Sequence, residues 1–193
     1  MLRFALILAI ALFLPARASG DDLAQQLSLA AIERTRHHVT YDGRYVSITY
    51  PGGDVAANTG VCTDVVIRSY RAIGTDLQVL VHEDMKRAFD AYPNQWNLQK
   101  PDRNIDHRRV PNLRTFFTRN GQSLPISQTA SDYKPGDLVS WMLPGNKPHI
   151  GVVTDKMFAG TNTPMLVHNV GAGPQLENVL FAWPMTGHYR YQP

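Results

Sequence analysis

The hydrophobic pattern changes period once along this chain, and that change limits the fold more than any other feature. Up to Gly121 the apolar residues recur at helical spacing. In residues 21–36 they stand at 23, 27, 30 and 31, with acids at the start and bases at the end, as a helix dipole favours. A second helix is expected from Cys62 to Ile73, with apolar positions 61, 65, 66, 70 and 73 and a stop at Gly74. Asp76 is placed to cap a third, running to about Tyr92, and Pro111 to open a fourth that leaves at Gly121. Beyond the Lys134-Pro135-Gly136 turn the runs become short and β-rich: Asp137–Leu143, His149–Asp155, Pro164–Val170 and Thr186–Tyr191. One more short strand is expected at Tyr45–Tyr50. Helices first and strands second imply an α+β chain with an antiparallel sheet packed on helices.

Residues 1–18 read as an export signal: Arg3, the apolar run Phe4–Leu14, then Ala16-Arg17-Ala18 as a cleavage site. The 11-residue apolar run is too short to span a bilayer as a helix. With no cysteine directly following the cleavage site, a lipid-anchored product is not expected. Cleavage near Ala18 would leave one domain, 19–193, which is expected to be periplasmic and monomeric by default. Two of the 19 basic residues fall in the signal, leaving 17 against 16 acidic ones. That balance gives no electrostatic case for nucleic acid.

Cys62 is the single cysteine, so no internal disulfide is possible, and a free thiol is a liability in an oxidising compartment. It stands where Gly60-Val61 gives way to a helical run. Two readings stand, a buried small hydrophobe or a nucleophile whose thiolate the helix N-terminus favours. A nucleophile needs a base and an orienting group. His149 opens His149-Ile150-Gly151-Val152-Val153, and His168 lies in the next predicted strand, so both can meet on one sheet face. Asn169 points to the opposite face from His168. The charge-dense stretch Asp106-His107-Arg108-Arg109 offers two forked donors for a carboxylate substrate, or an internal salt bridge, and His107 is an alternative third catalytic member. Asp64 is read either as a first-turn acid or as a charge opposing thiolate formation.

Gly136-Asp137-Leu138-Val139-Ser140-Trp141 followed by His149-Ile150-Gly151-Val152-Val153 resembles the signature of NlpC-type cell-wall cysteine peptidases. The resemblance implies a papain-like fold, with N-terminal helices on a C-terminal antiparallel sheet or half-barrel. It implies Cys62 as nucleophile, His149 as base, His168 as third member and an upstream tyrosine, Tyr50, near the oxyanion site. Gly60-Val61-Cys62-Thr63-Asp64, Asn104-Ile105-Asp106-His107-Arg108-Arg109-Val110-Pro111-Asn112-Leu113 and Thr186-Gly187-His188-Tyr189-Arg190-Tyr191 are similar to an exported bacterial family known mainly as a domain of unknown function. NlpC-type enzymes usually read Asp-Cys-Ser-Gly at the nucleophile, where this chain has Val61-Cys62-Thr63-Asp64, which puts substrate preference in doubt.

The expected activity is therefore hydrolysis of an amide bond, with peptidoglycan or its stem peptides as the implied partner and no cofactor. Acyl transfer to an amine would use the same residues. A binding module on the same fold and a zinc hydrolase are the alternatives. The zinc reading lacks ligand spacing, since His82-Glu83-Asp84-Met85-Lys86 is not His-Glu-x-x-His, and no metal site is expected. Gly171-Ala172-Gly173 lacks the residues of a nucleotide loop, and Trp96, Trp141 and Trp183 are read as core or rim packing.

Overall fold

A computed structural model describes residues 20–193; the expected signal, residues 1–18, lies outside them. In chain order the elements are α1 (Gly20–Arg34), β1 (Thr40–Tyr41), β2 (Thr59–Gly60), α2 (Cys62–Ala72), α3 (Leu77–Arg87) and α4 (Val110–Asn120). Then follow β3 (Gln122–Leu124), β4 (Leu138–Leu143), β5 (Lys147–Met157), β6 (Pro164–His168), β7 (Gln175–Glu177) and β8 (Met185–Arg190). The last six strands form one antiparallel sheet in the order β3-β8-β4-β5-β6-β7. Helices first and sheet second, the architecture is α+β. Among the described residues no helix is long and apolar enough to cross a membrane.

Strand alternation sorts the sheet into two faces. Leu138, Ile150, Val152 and Val167 join a large core with Val65, Val66 and Tyr70 of α2 and Phe116 and Phe117 of α4. Val139, Trp141, Val153 and Leu166 point the other way and pack with Tyr133 and Leu180. The His149 side chain and the open side of Gly151 alternate onto this second face, because β5 pairs Trp141 with His149 and Val139 with Gly151.

Three boundaries differ from the sequence reading. Residues 45–50 form no strand: the Ile48 N–H donates to Asn104 Oδ1 at 3.1 Å, so a side chain of a distant loop takes a bond a strand partner would supply, and the Tyr45 hydroxyl donates to Asp102 of the same loop at 3.0 Å. The third helix, capped by Asp76 as expected, stops at Arg87, short of Tyr92. A 3-10 turn at Phe89–Ala91 then lets the Tyr92 hydroxyl reach back to Asp84 at 2.7 Å. Finally, β3 and β7 are short edge strands that the sequence pattern did not show; three residues carry too little periodicity.

Candidate active site

Cys62 is the first residue of α2 and is buried. Val61, the residue before the helix, has an extended backbone and no side-chain acceptor, so the Cys62 and Thr63 N–H groups have no side-chain cap, while the Asp64 N–H donates to the Val61 carbonyl at 3.1 Å. Asp64 instead turns back, accepting from the Val61 N–H at 2.7 Å. The backbone N–H groups of Ile150, one residue past His149, and of Thr63 and Cys62 lie beside the sulfur and favour its charged form. These donors do not decide its ionisation. Burial, reinforced by the Asp64 charge against those N–H groups, pushes the thiol from 9.0 up to about 12. Three pH units correspond to about 4 kcal/mol, against about 0.3–2 kcal/mol for a helix terminus. The expectation of a helix-stabilised thiolate is thus corrected: in this state the group is a neutral thiol.

His149 and His168 meet as the strand register requires. Extending the Val152–Val167 pairing sets His168 opposite Gly151, diagonal to His149 on the same face. His149 Nε2 lies 3.0 Å from His168 Nδ1. A Cβ on Gly151 would stand 3.1 Å from His168 Cβ and 3.3 Å from Trp141 Cζ3, so glycine makes room for both rings. Trp141 stacks on His149 at 5.8 Å between centroids, and Trp183 meets both histidines edge-on at 5.9 Å. Glu177 continues the row: its Oε2 lies 2.9 Å from His168 Nε2, and Nε2 has no other partner.

This row fixes the tautomers. A carboxylate at one end favours the Nε2–H form of His168, whose Nδ1 lone pair then accepts from His149 Nε2–H. His149 Nδ1 is left without a proton, as a general base must be. Burial, and secondarily the neighbouring His168, lower His149 to about 3, so the imidazole is neutral at pH 7. Thiol and base are both uncharged, and the Ile150 N–H beside the sulfur is one residue past His149.

A cleft of about 570 Å³ runs past the thiol, lined by Tyr41, Tyr45, Cys62, Trp96, Arg108 and Arg109 among others. Pro148, which precedes His149, lines it too. The tyrosine beside the sulfur is Tyr41, not Tyr50. Strand β1 pairs in parallel with β2, Tyr41 opposite Gly60, which brings Tyr41 next to the residues leading into Cys62. Its half-buried position, then the Cys62 and Asp64 charges, raise the hydroxyl to about 12. Tyr50 is committed elsewhere: its hydroxyl donates to Glu83 at 3.0 Å and its ring packs against His82. An upstream tyrosine was sought, but the choice among several needed a two-residue strand pairing that has no sequence signature.

The 106–109 stretch forms a buried 3-10 turn ending at Arg108. Arg108 grips Asp64 with two bonds of 2.8 and 2.9 Å, both side chains buried. Asp64 is thus both a first-turn acid and a charge that opposes the thiolate. Arg109 bonds Asp106 at 3.0 Å and lies 3.9 Å over the Trp96 ring, at the cleft wall. The internal salt bridge is therefore the arrangement present for both arginines. His107 is buried away from the cleft and lowered to about 4 by burial, with the Asp64 and Arg108 charges as the next, opposed contributions. His168 holds the place beside His149 that His107 does not reach. Asn169 donates to the Gly60 carbonyl at 3.4 Å, tying the end of β6 to the strand before Cys62. Glu177 was missed because its strand is three residues long and the preceding Gly171-Ala172-Gly173 was weighed only as a nucleotide loop; it belongs to the β6–β7 connection. Among the described residues no group of three or more His, Cys, Asp or Glu side chains is placed to hold a metal ion.

An N-acetylmuramoyl-L-alanine amidase of Bacteroides uniformis has a similar fold, with a TM-score of 0.53 at 12% identity, covering 89% of this chain and 99% of that one. NlpC1 and NlpC2 of Trichomonas vaginalis align at TM-scores of 0.42 and 0.44 and 14% and 15% identity, over 89% and 87% of this chain. This chain spans 44% and 47% of their lengths. The uncharacterized protein YijF of Escherichia coli K12 is 58% identical over 151 residues, which are 78% of this chain and 73% of that protein. A domain of unknown function, DUF1287, matches residues 28–191, and the chain belongs to that family.

Proposed function

We propose that this protein is a periplasmic cysteine amidase or peptidase that cleaves an amide bond in peptidoglycan stem peptides. The observation that carries the reading is the Glu177–His168–His149 row, which leaves a proton-accepting nitrogen on His149. His149 Nδ1 takes the Cys62 proton as sulfur attacks the amide carbonyl; the carbonyl π electrons move to oxygen. The uncapped N–H groups of α2 and the Tyr41 hydroxyl stabilise that oxyanion. Collapse breaks the C–N bond, and His149 returns the proton to the leaving nitrogen. Water, deprotonated by His149, then resolves the thioester. The amidase with a similar fold supports the substrate class, and the aromatic and cationic cleft wall suits a carboxylate-bearing peptide.

Because the resting thiol is neutral and buried, substrate must trigger the proton transfer. Purified sacculi should release amino groups with the native protein and none with Cys62→Ser. His149→Ala should lower the rate at least a hundredfold. Full activity of Cys62→Ser would overturn the reading.

The raised thiol favours a second reading, a binding module in which Cys62 only packs. Saturable binding of sacculi with neither release nor a His149-dependent rate of Cys62 alkylation would select it.

A further inference from the structure

Behind the Cys62 loop, on the side away from the cleft, lies a second cavity of about 440 Å³. Gly60, Val61 and Asp64 form part of its wall; Val39, Val55, Val65, Ala72 and Pro174 supply apolar surface. Three arginines, Arg34, Arg68 and Arg71, also line it. Their partners are unevenly shared. Asp54 serves both Arg68, at 2.9 Å, and Arg71, at 3.0 Å, and Asp76 lies 3.7 Å from Arg71. Asp64 is committed to Arg108. Arg34 has no carboxylate partner within 4 Å among the described residues; its Nη2 meets only His37 Nε2, at 2.9 Å. The Nε–H groups of Arg34 and Arg71 are both buried without any hydrogen-bond partner.

A buried N–H of a charged group left unsatisfied is costly. Arg34, without a carboxylate partner, and two arginines that share Asp54 line one cavity, and that excess of positive charge describes a receptor for an anion. The apolar walls limit the rest of the ligand to something small and aliphatic, and the volume is that of a small-molecule site. We propose that this cavity binds a carboxylate carried on a small aliphatic group, such as the carboxyl-terminal residue of a short peptide, with Arg34 as the principal anion contact. The site is separate from the thiol cleft but shares Val61 with it, so an occupant braces the segment that leads into Cys62. Nothing in this assignment depends on the hydrolase reading.

Nuclear magnetic resonance titration of the purified protein with N-acetyl-L-alanine, N-acetyl-L-alaninamide and acetate tests it. Saturable shifts at the Gly60, Val61 and Asn169 amides are expected with N-acetyl-L-alanine. The neutral amide, and acetate without the aliphatic group, should each bind at least tenfold more weakly. Arg34→Gln should weaken the acid at least tenfold. Ala72→Trp, at an exposed position on the cavity rim, should block it without touching charge, and Cys62→Ser should leave it intact. Circular dichroism spectra of the variants should match the native protein's. Absence of saturable binding, equal affinity for acid and amide, or indifference to both Arg34→Gln and Ala72→Trp in folded variants would overturn the site. Acetate binding as tightly as N-acetyl-L-alanine would overturn the aliphatic specificity.

Discussion

The strand half and the loop half of the site are built by different rules. His149, Gly151, His168 and Trp141 are placed by sheet register: once β4, β5 and β6 pair, alternation puts all four on one face. Tyr41 stands on a two-residue strand, and Arg108 and Arg109 on a 3-10 turn and its exit; long-range polar contacts hold these short segments in place. Arg108, for example, reaches Asp64 across 44 residues of sequence, and Thr63 Oγ1 donates to the Arg108 carbonyl at 3.1 Å. A register tolerates the loss of one side chain, because its neighbours still define it. A loop hung on one buried ion pair does not.

The sharpest way to break that comparison is Arg108→Met. It leaves the Asp64 carboxylate buried with its main partner gone, which costs about 3–5 kcal/mol. Thermal unfolding should show that loss, and Cys62 should become accessible to alkylation as the loop lets go. The double variant Asp64→Leu with Arg108→Met should recover most of the stability, since no charge is then stranded. A single variant that unfolds like the native protein would show that the loop is held by something else.

Acid provides the next test. His149 and His107 are lowered to about 3 and about 4, in both cases first by burial. From about pH 6.5 downward the unfolded chain takes up protons that these residues refuse in the fold, so stability falls as pH falls. Asp106 acts oppositely. Burial raises it to about 6, so its contribution is present at low pH and is lost as pH rises through 6. Two histidines outweigh one acid, and stability at pH 4.5 should be lower than at pH 7 by on the order of 3 kcal/mol. Denaturant midpoints across that range would measure it. His107→Gln should flatten the slope without altering the thiol; an unchanged slope would mean that His107 titrates normally.

The same division decided what could be read from the sequence. Helices α1, α2 and α4 were legible because each repeats its apolar spacing over 11 residues or more. The histidine pair was legible because alternation is a local rule. Tyr41 was not, since two residues of parallel pairing leave no pattern. The neutral state of Cys62 was not legible either. Position at a helix start is visible in the sequence, but the burial that overrides it is a property of the packed chain. Arg108 and Arg109 were legible only as a choice between substrate clamp and salt bridge, because spacing does not reveal which carboxylate a guanidinium will find.

Gly151→Ala probes the register directly. The new methyl group would meet Val167 O at 3.0 Å and His168 Cβ at 3.1 Å, tighter than ordinary contacts. Overpacking of this kind costs about 1–3 kcal/mol. Both contacting atoms are part of the β6 backbone or fixed directly on it, so β6 must shift from β5 and carry His168 away from His149, and Cys62 alkylation should lose its dependence on His149. A variant that is destabilised yet keeps that dependence would mean that the two rings stay in contact while the strands absorb the strain.

Glu177→Gln is the smallest perturbation and tests the end of the row. The carboxylate is half exposed, so solvent screens it and stability should change by under about 1 kcal/mol. Its influence falls on the histidines instead. The Glu177 charge favours protonated His168 and, through the shared hydrogen bond, protonated His149. Without that charge the pair holds its proton less firmly, and the acid limb of the pH–rate profile should move to lower pH. The maximal rate should fall several-fold as the His168 tautomer loses its anchor. Glu177→Gln with an unmoved acid limb would reduce the row to the two histidines and make Glu177 a surface residue of β7.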